Sequence, residues 1–359
     1  MMHRGKAVLL PPNRVWRTYQ GGAELDRLAC VAAPADGHFP EDWVGSVTRA
    51  RNAGREHLAD EGVSRVRVGG REHAWDALLA SDPDYFLGEA HAERFGATPQ
   101  LLVKLLDSAV RLHFQVHPTA EFARLRLGAS SGKTEAYHVL AVRPGAEGRI
   151  YLGFQRPPDR AGLKRMIERQ DIAALEACFD PVTVRAGDTF LVPGGTPHAL
   201  GAGLLLVEIQ EPSDLVVRFE FERGGYVLPE VARFMGRGLD FCLDVFDLGA
   251  ASPAEARRCL PRRLRELGPD SWQEELIGPT QTPCFRLRRT RLGSALTKTE
   301  REPAIVIVTE GACELEAGGE RHALRFGDKF FLPAGVGPVA LSPRAGGPCQ
   351  LLECLPPLS

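Results

Sequence analysis

Gly187-Asp188-Thr189-Phe190-Leu191-Val192-Pro193-Gly194-Gly195-Thr196-Pro197-His198 is the stretch on which the fold turns. Gly187-Asp188 reads as a turn and Thr189 to Val192 as a short apolar strand. Pro193-Gly194-Gly195 then bends the chain and sets His198 down behind Pro197. The prolines cannot donate ladder hydrogen bonds, and glycine tolerates backbone angles that other residues avoid. Such a segment is poor helix material and suits the mouth of a β-barrel. A histidine held there is a candidate metal ligand, whereas an isolated one would more simply be a turn histidine bonded to backbone.

The stretch has a second copy. VTVRAGDTFLVPGGTPHA from Val182 to Ala199 is echoed by HALRFGDKFFLPAGVGPV from His322 to Val339. Arg185/Arg325, Gly187/Gly327, Asp188/Asp328, Phe190/Phe330, Pro193/Pro333 and Gly195/Gly335 coincide, while Pro338 falls opposite His198. The spacing Gly187, Pro193, Gly195, His198 resembles the second signature motif of the cupin superfamily, double-stranded β-helix barrels of the jelly-roll type. The resemblance implies a mainly β chain with helical insertions and two cupin barrels, the second degenerate and metal-free. The expected division is a catalytic N-terminal domain over 1–228, a helical connector over 229–275 and the degenerate domain over 276–359. His322, the one histidine of the second copy, lies upstream of its turn.

Working outward, Leu112-His113-Phe114-Gln115-Val116-His117-Pro118 reads as a strand that puts His113, Gln115 and His117 on one face. Two imidazoles and an amide without a charge are an unusual way to solvate a face, so a ligand-bearing interior is expected. Further on, Gly132-Lys133-Thr134-Glu135 leads into the strand Ala136 to Val142, with Lys133, Glu135 and Tyr137 on one side. Glu135 alone could be a solvated strand start paired with Lys133. Counted with His117, His198 and Gln115, it completes a donor set suited to zinc or another divalent ion. Strands are also expected at Val44 to Arg49, Val63 to Val68, Leu101 to Leu106, Leu204 to Ile209 and Leu215 to Phe221, the last carrying Arg218. Helices are expected at Ala74 to Ala80, Pro83 to Phe95, Thr119 to Leu127, Asp159 to Phe179 in two pieces, Pro229 to Phe246 with a glycine break at Gly236 to Gly238, and Ser252 to Leu260. His57, His73 and His91, in polar surroundings, read as surface histidines.

Composition narrows the class. The 359 residues suit two domains, and 44% apolar content supplies core for both. A net charge of −2 gives no electrostatic case for nucleic acid or a membrane surface. No apolar run approaches transmembrane length, and Met1 to Lys6 lack the layout of a secretion signal. The eight cysteines include no CxxC pair and read as reduced thiols, so a cytoplasmic monomer or small homo-oligomer is expected.

Five motifs in order, Leu102-Val103-Lys104-Leu105-Leu106-Asp107, Gln115-Val116-His117-Pro118, Gly132-Lys133-Thr134-Glu135, Val192 to His198, and Glu208-Ile209-Gln210 followed by Arg218, resemble the class I mannose-6-phosphate isomerases. The resemblance spans roughly Leu101 to Phe221. It implies Gln115, His117, Glu135 and His198 as ligands of one zinc ion, Lys133 and Arg218 at a sugar phosphate, and aldose–ketose isomerisation through an enediol or enediolate. Lys133, metal-bound water and His113 are the candidate bases. The chain departs from the family at His113, where a serine is usual, and at Val217-Arg218-Phe219-Glu220, where Tyr-Arg is usual. His113 is therefore expected in the substrate pocket. The competing readings are a non-catalytic sugar-binding or regulatory cupin and a cupin oxygenase, whose ligand set is richer in histidine.

Overall fold

The computed structural model describes residues 4–253, 257–344 and 347–358. The chain is mainly β, and its four larger antiparallel sheets form two pairs, with two small hairpins, Arg65–Val68 with Arg71–Ala74 and Glu222–Arg223 with Tyr226–Val227, beside them. In the first half, Thr189–Val192 pairs with Glu135–Val142, followed across the sheet by Leu204–Gln210, Leu102–Ser108, Glu41–Val44 and Arg14–Val15. The opposing five-stranded sheet runs Val182–Thr183, Arg149–Leu152, His198–Leu200, Gln115–Val116, Val217–Arg218. Apolar side chains from both sheets, among them Leu106, Val139, Leu206, Ile150 and Leu200, close into one core cluster. Leu204–Gln210 is buried along its whole length, as its leucine-rich sequence requires of a central strand.

The second half repeats this order. Lys329–Leu332, Ala304–Glu310, Cys349–Leu355 and Arg286–Leu292 follow one another as their counterparts do in the first half. The smaller sheet, Glu320–Arg325, Ala312–Ala317, Val339–Pro343, Leu296–Lys298, repeats the five-stranded sheet without its last strand. The internal repeat read from the sequence is therefore a repeat of topology. Gly187 and Gly327 both sit at φ 90°, the left-handed turn that the matching Gly-Asp pairs need.

The halves are stitched together twice. Strand Val8–Leu9 adds to the edge of the second half's large sheet, Val8 opposite Phe331. Trp75, fully buried, meets Phe86 at 6.0 Å and Phe331 at 5.0 Å between ring centroids, both edge-on. Truncating such a tryptophan to alanine costs about 3–5 kcal/mol.

Several sequence expectations change. Among its described residues, the connector expected over 229–275 to be helical holds the short pieces Glu230–Ala232, Leu239–Cys242 and Leu243–Val245, so the continuous helix expected from Pro229 to Phe246 does not form. Gly236 and Gly238, both at positive φ, interrupt it. The same segment holds strand Arg262–Gly268 and most of Ser271–Ile277, which extend the second half's large sheet. The helix expected at Ser252 to Leu260 falls partly on residues 254–256, outside the described residues, and Arg258 forms a β-bridge with Phe190. The helix expected at Pro83 to Phe95 breaks at Gly88 into Pro83–Leu87 and Glu89–Phe95. The strand expected from Val44 to Arg49 lies earlier, at Glu41–Val44. His91 is buried, 3% exposed, with Nε2 on the carbonyl of Thr98 at 2.8 Å, so it is not a surface histidine. No helix among the described residues is long and apolar enough to cross a membrane.

Candidate metal centre and catalytic cavity

The bend after Val192 brings His198 beside Gln115. They are strand partners, and Gly195 is tied to the carbonyl of His117 at 2.7 Å. A side chain on Gly194 would meet the carbonyl of Pro118 at 2.8 Å, so this close approach requires glycine. Glu135 arrives from the other sheet as the partner of Val192. The regular strand around Gln115 is only two residues long, yet His113, Gln115 and His117 line the same cavity, as alternation predicts.

His117, Glu135 and His198 are buried, with ligand atoms all within 4.8 Å of one another. His117 Nε2 is 3.3 Å from Glu135 Oε2, and His198 Nε2 is 3.1 Å from Glu135 Oε1. The Gln115 amide lies 3.2 Å from His198 Nε2 and can present its oxygen there. The carboxylate thus reaches one imidazole with each oxygen, and the donor atoms lie close enough together to share one ion. The imidazoles are oriented for it. His117 Nδ1 engages the carbonyl of Leu215 and His198 Nδ1 that of Thr196, each at 2.8 Å, which leaves both Nε2 lone pairs facing the carboxylate. Burial and the neighbouring Lys133 push His117 down to about 3, so it stays in its neutral, ligating form. The Lys133 ammonium already stands beside them, 2.9 Å from His117 Nε2 and 2.7 Å from Glu135. Two imidazoles and a carboxylate whose donor atoms lie within 4.8 Å of one another fit a divalent ion.

Charge around the centre is dense. Burial would raise Glu135, but the Lys133 ammonium beside it holds it well below the usual carboxylate range. Lys133 Nζ lies 2.7 Å from Glu135 and 3.5 Å from Glu208. Burial pulls Lys133 down, yet these two carboxylates more than offset it and raise it. Lys104 pairs with Glu208 at 3.1 Å and Glu41 at 3.6 Å, while Arg17 pairs with Glu41 at 2.9 Å and with Asp214. Arg218 is different. It makes no direct ion pair among the described residues, and its Nη1 donates to the carbonyl of Ala232 at 3.0 Å. Burial, with Arg17 nearby, lowers it to about 10, which leaves it charged at neutral pH.

His113 is 2% exposed and lines the same cavity. Its Nδ1 is held by the carbonyl of Glu220 at 3.1 Å, and its Nε2 has no hydrogen-bond partner. Burial and Arg218 push it down to about 4. The cavity holds about 30 Å³ of free volume, room for about one water.

All seven sequence candidates, His113, Gln115, His117, Lys133, Glu135, His198 and Arg218, thus meet in one place. Sequence reasoning missed the surrounding ionic set of Arg17, Glu41, Lys104, Glu208 and Asp214. Lys104 and Glu208 did carry a signal, since each is a charge flanked on both sides by apolar residues of a buried strand.

Comparison with known proteins agrees with this geometry. No protein-family model matches the chain. A mannose-6-phosphate isomerase of Streptococcus mutans is 30% identical over 249 residues, 68% of this chain and 72% of that protein. The crystal structure of the mannose 6-phosphate isomerase from Bacillus subtilis superposes with a TM-score of 0.68 at 20% identity, over 97% of this chain and 99% of that one. A mannose 6-phosphate isomerase bound with zinc and yttrium superposes with a TM-score of 0.68 at 17% identity, over 98% of this chain and 100% of that one. Fold and site together define a β-rich protein with an enclosed His/Glu/His metal centre. The chain belongs to the mannose-6-phosphate isomerase family.

Proposed function

We propose that the chain is a zinc-dependent aldose–ketose isomerase that interconverts mannose 6-phosphate and fructose 6-phosphate. The observation that carries this is the convergence of His117, Glu135 and His198 beside an arginine with no direct ion pair. Gln115, His117, Glu135 and His198 are assigned to the metal. Each half is read as one cupin barrel, the first catalytic and within 1–228, the second within 276–359 and metal-free. Strands Arg262–Gly268 and Ser271–Ile277 dock onto that second unit.

Moving a carbonyl between C1 and C2 means taking a proton from one carbon, holding the enediolate and returning the proton to its neighbour. A divalent ion supplies Lewis acidity towards the substrate oxygens when bound. Arg218, still offering guanidinium donors to the cavity, is assigned to the enediolate charge. Lys133, already in contact with Glu135 and Glu208, is assigned to a substrate oxygen at the edge of the centre. His113 presents a fixed, neutral Nε2 to the sugar, and with Lys133 it is one of two side chains placed to exchange the proton. The small free volume supports a site that must widen to admit a sugar phosphate and that excludes water when closed.

The test is a coupled isomerase assay on mannose 6-phosphate and other aldose phosphates, with metal analysis of the same preparation. Turnover with about one divalent ion per chain is expected, both lost on chelation. A fully metal-loaded chain that turns over none of these substrates would sink the assignment.

A further inference from the structure

The molecule has a second, much larger cavity, of about 850 Å³, on the opposite face of the six-stranded sheet from the metal centre. Strand alternation separates the two. Glu41 and Lys104 face the catalytic cavity, while their neighbours Asp42 and Leu105 line this one. Strand Glu320–Arg325 and the turn after it form the far wall, so the cavity lies between the two halves. Its volume is within the range of about 300–1,000 Å³ usual for organic ligands.

The lining is amphipathic. Leu9, Leu10, Leu25, Leu28 and Leu324 supply apolar surface, and Leu9 is 41% exposed. Charge is one-sided, with Arg14, Arg67, Arg321, Arg325, Lys329 and His322 against Asp42 and Asp328. Three of these cations are neutralised: Arg14 by Asp26 at 2.7 Å, Arg321 by Glu316 at 3.0 Å, and Lys329 by Asp42. Two are not. The guanidinium of Arg325 meets only Cys30 Sγ at 2.9 Å and the carbonyl of Leu28 at 3.3 Å, and Arg67 has no side-chain partner among the described residues. Both arginines are exposed and make no ion pair among the described residues, although Asp328 stands near Arg325; over leucine surface they suit a ligand with a negative head and an apolar body.

We propose that this cleft binds an amphipathic organic anion, a phosphate, sulfonate or carboxylate carried on an apolar or aromatic body. Arg67 and Arg325 hold the head group, and the leucines cover the body. The site is separate from the metal centre and belongs to the junction of the halves.

Anilinonaphthalene sulfonate is the probe, titrated into the full, metal-loaded chain and followed by fluorescence and calorimetry. One saturable site is expected. Arg67→Ala and Arg325→Ala should each weaken it about fivefold, and Leu28→Glu, which adds a carboxylate to the apolar floor, by more. Metal content, Tm and isomerase turnover should not change in these variants. The proposal is overturned if the folded chain shows no saturable binding, or if all three variants bind as the native chain does. Weakening seen only together with lost metal or lowered Tm would also count against it, because it would report general disruption.

Discussion

The two halves share a strand order and differ in how their interiors handle charge. Strand register makes the comparison residue by residue. Glu208 opposite Lys104 in the first half corresponds to Glu353 opposite Arg288 in the second. Glu135 opposite Val192 corresponds to Ala304 opposite Leu332. His198 opposite Gln115 corresponds to Val339 opposite Lys298. Pro338 falls opposite His198 only in the sequence alignment, because the second bend is one residue longer before pairing resumes. In the second half the buried Glu353 is paired with Lys298, whose ammonium holds it below the usual carboxylate range although burial alone would raise it. Arg286 and Arg288 are both closed onto Glu302, at 2.6 and 2.7 Å. Each of these charges has an opposite charge beside it. In the first half, imidazole lone pairs converge on a carboxylate and Arg218 stays out of any ion pair. One framework therefore gives a self-neutralised core or a centre that calls for a cation and an anion, depending on a few inward positions.

The largest expected effect tests the cation. His117→Ala and His198→Ala should each remove the metal and lower turnover by more than about 100-fold, since even positioning partners of metal ligands are worth about 10–100-fold. A full metal complement in either variant, measured by elemental analysis, would erase the contrast between the halves at its main point. Arg218→Ala comes next. It should keep metal and Tm while kcat falls by about 10²–10³-fold, the range for a lost oxyanion donor. Unchanged kcat with a raised KM would make Arg218 a ground-state binding residue instead.

Lys298→Met probes the other half. Leaving Glu353 buried without its cation should cost about 3 kcal/mol in denaturant unfolding, with metal content and KM unchanged. Adding Glu353→Gln should restore most of the loss. If the single variant is as stable as the parent, the second interior is not held by charge pairing. His113→Ser gives the smallest effect: a shift in preference among sugar phosphates at constant metal content. Identical kinetics on every sugar would make the imidazole a packing residue held by the Glu220 carbonyl.

The convergence of His117, Glu135 and His198 was legible in the sequence because its signals are local. A bend rich in proline and glycine, and polar residues alternating through apolar strands, are written into consecutive positions. The repeat was legible for the same reason, since each Gly-Asp turn needs its own residues. Helical character between Pro229 and Phe246 was overread, because apolar spacing there does not outweigh two glycines and docking onto the core around Phe219. His91 was misplaced because the charges of Glu89, Glu93 and Arg94 around it were weighed, while Phe95, one helical turn on, packs against its ring at 4.9 Å.

By itself the sequence determined a mainly β chain, its duplication, and the residues able to bind a metal. Only the tertiary structure decided which charges go unanswered. Ion pairing is settled by side chains far apart in the chain: Arg17 meets Asp214, Lys104 meets Glu208, and Arg218 meets neither carboxylate. No spacing rule encodes those distances, because they arise only when two sheets close around a volume too small for water to do the pairing instead.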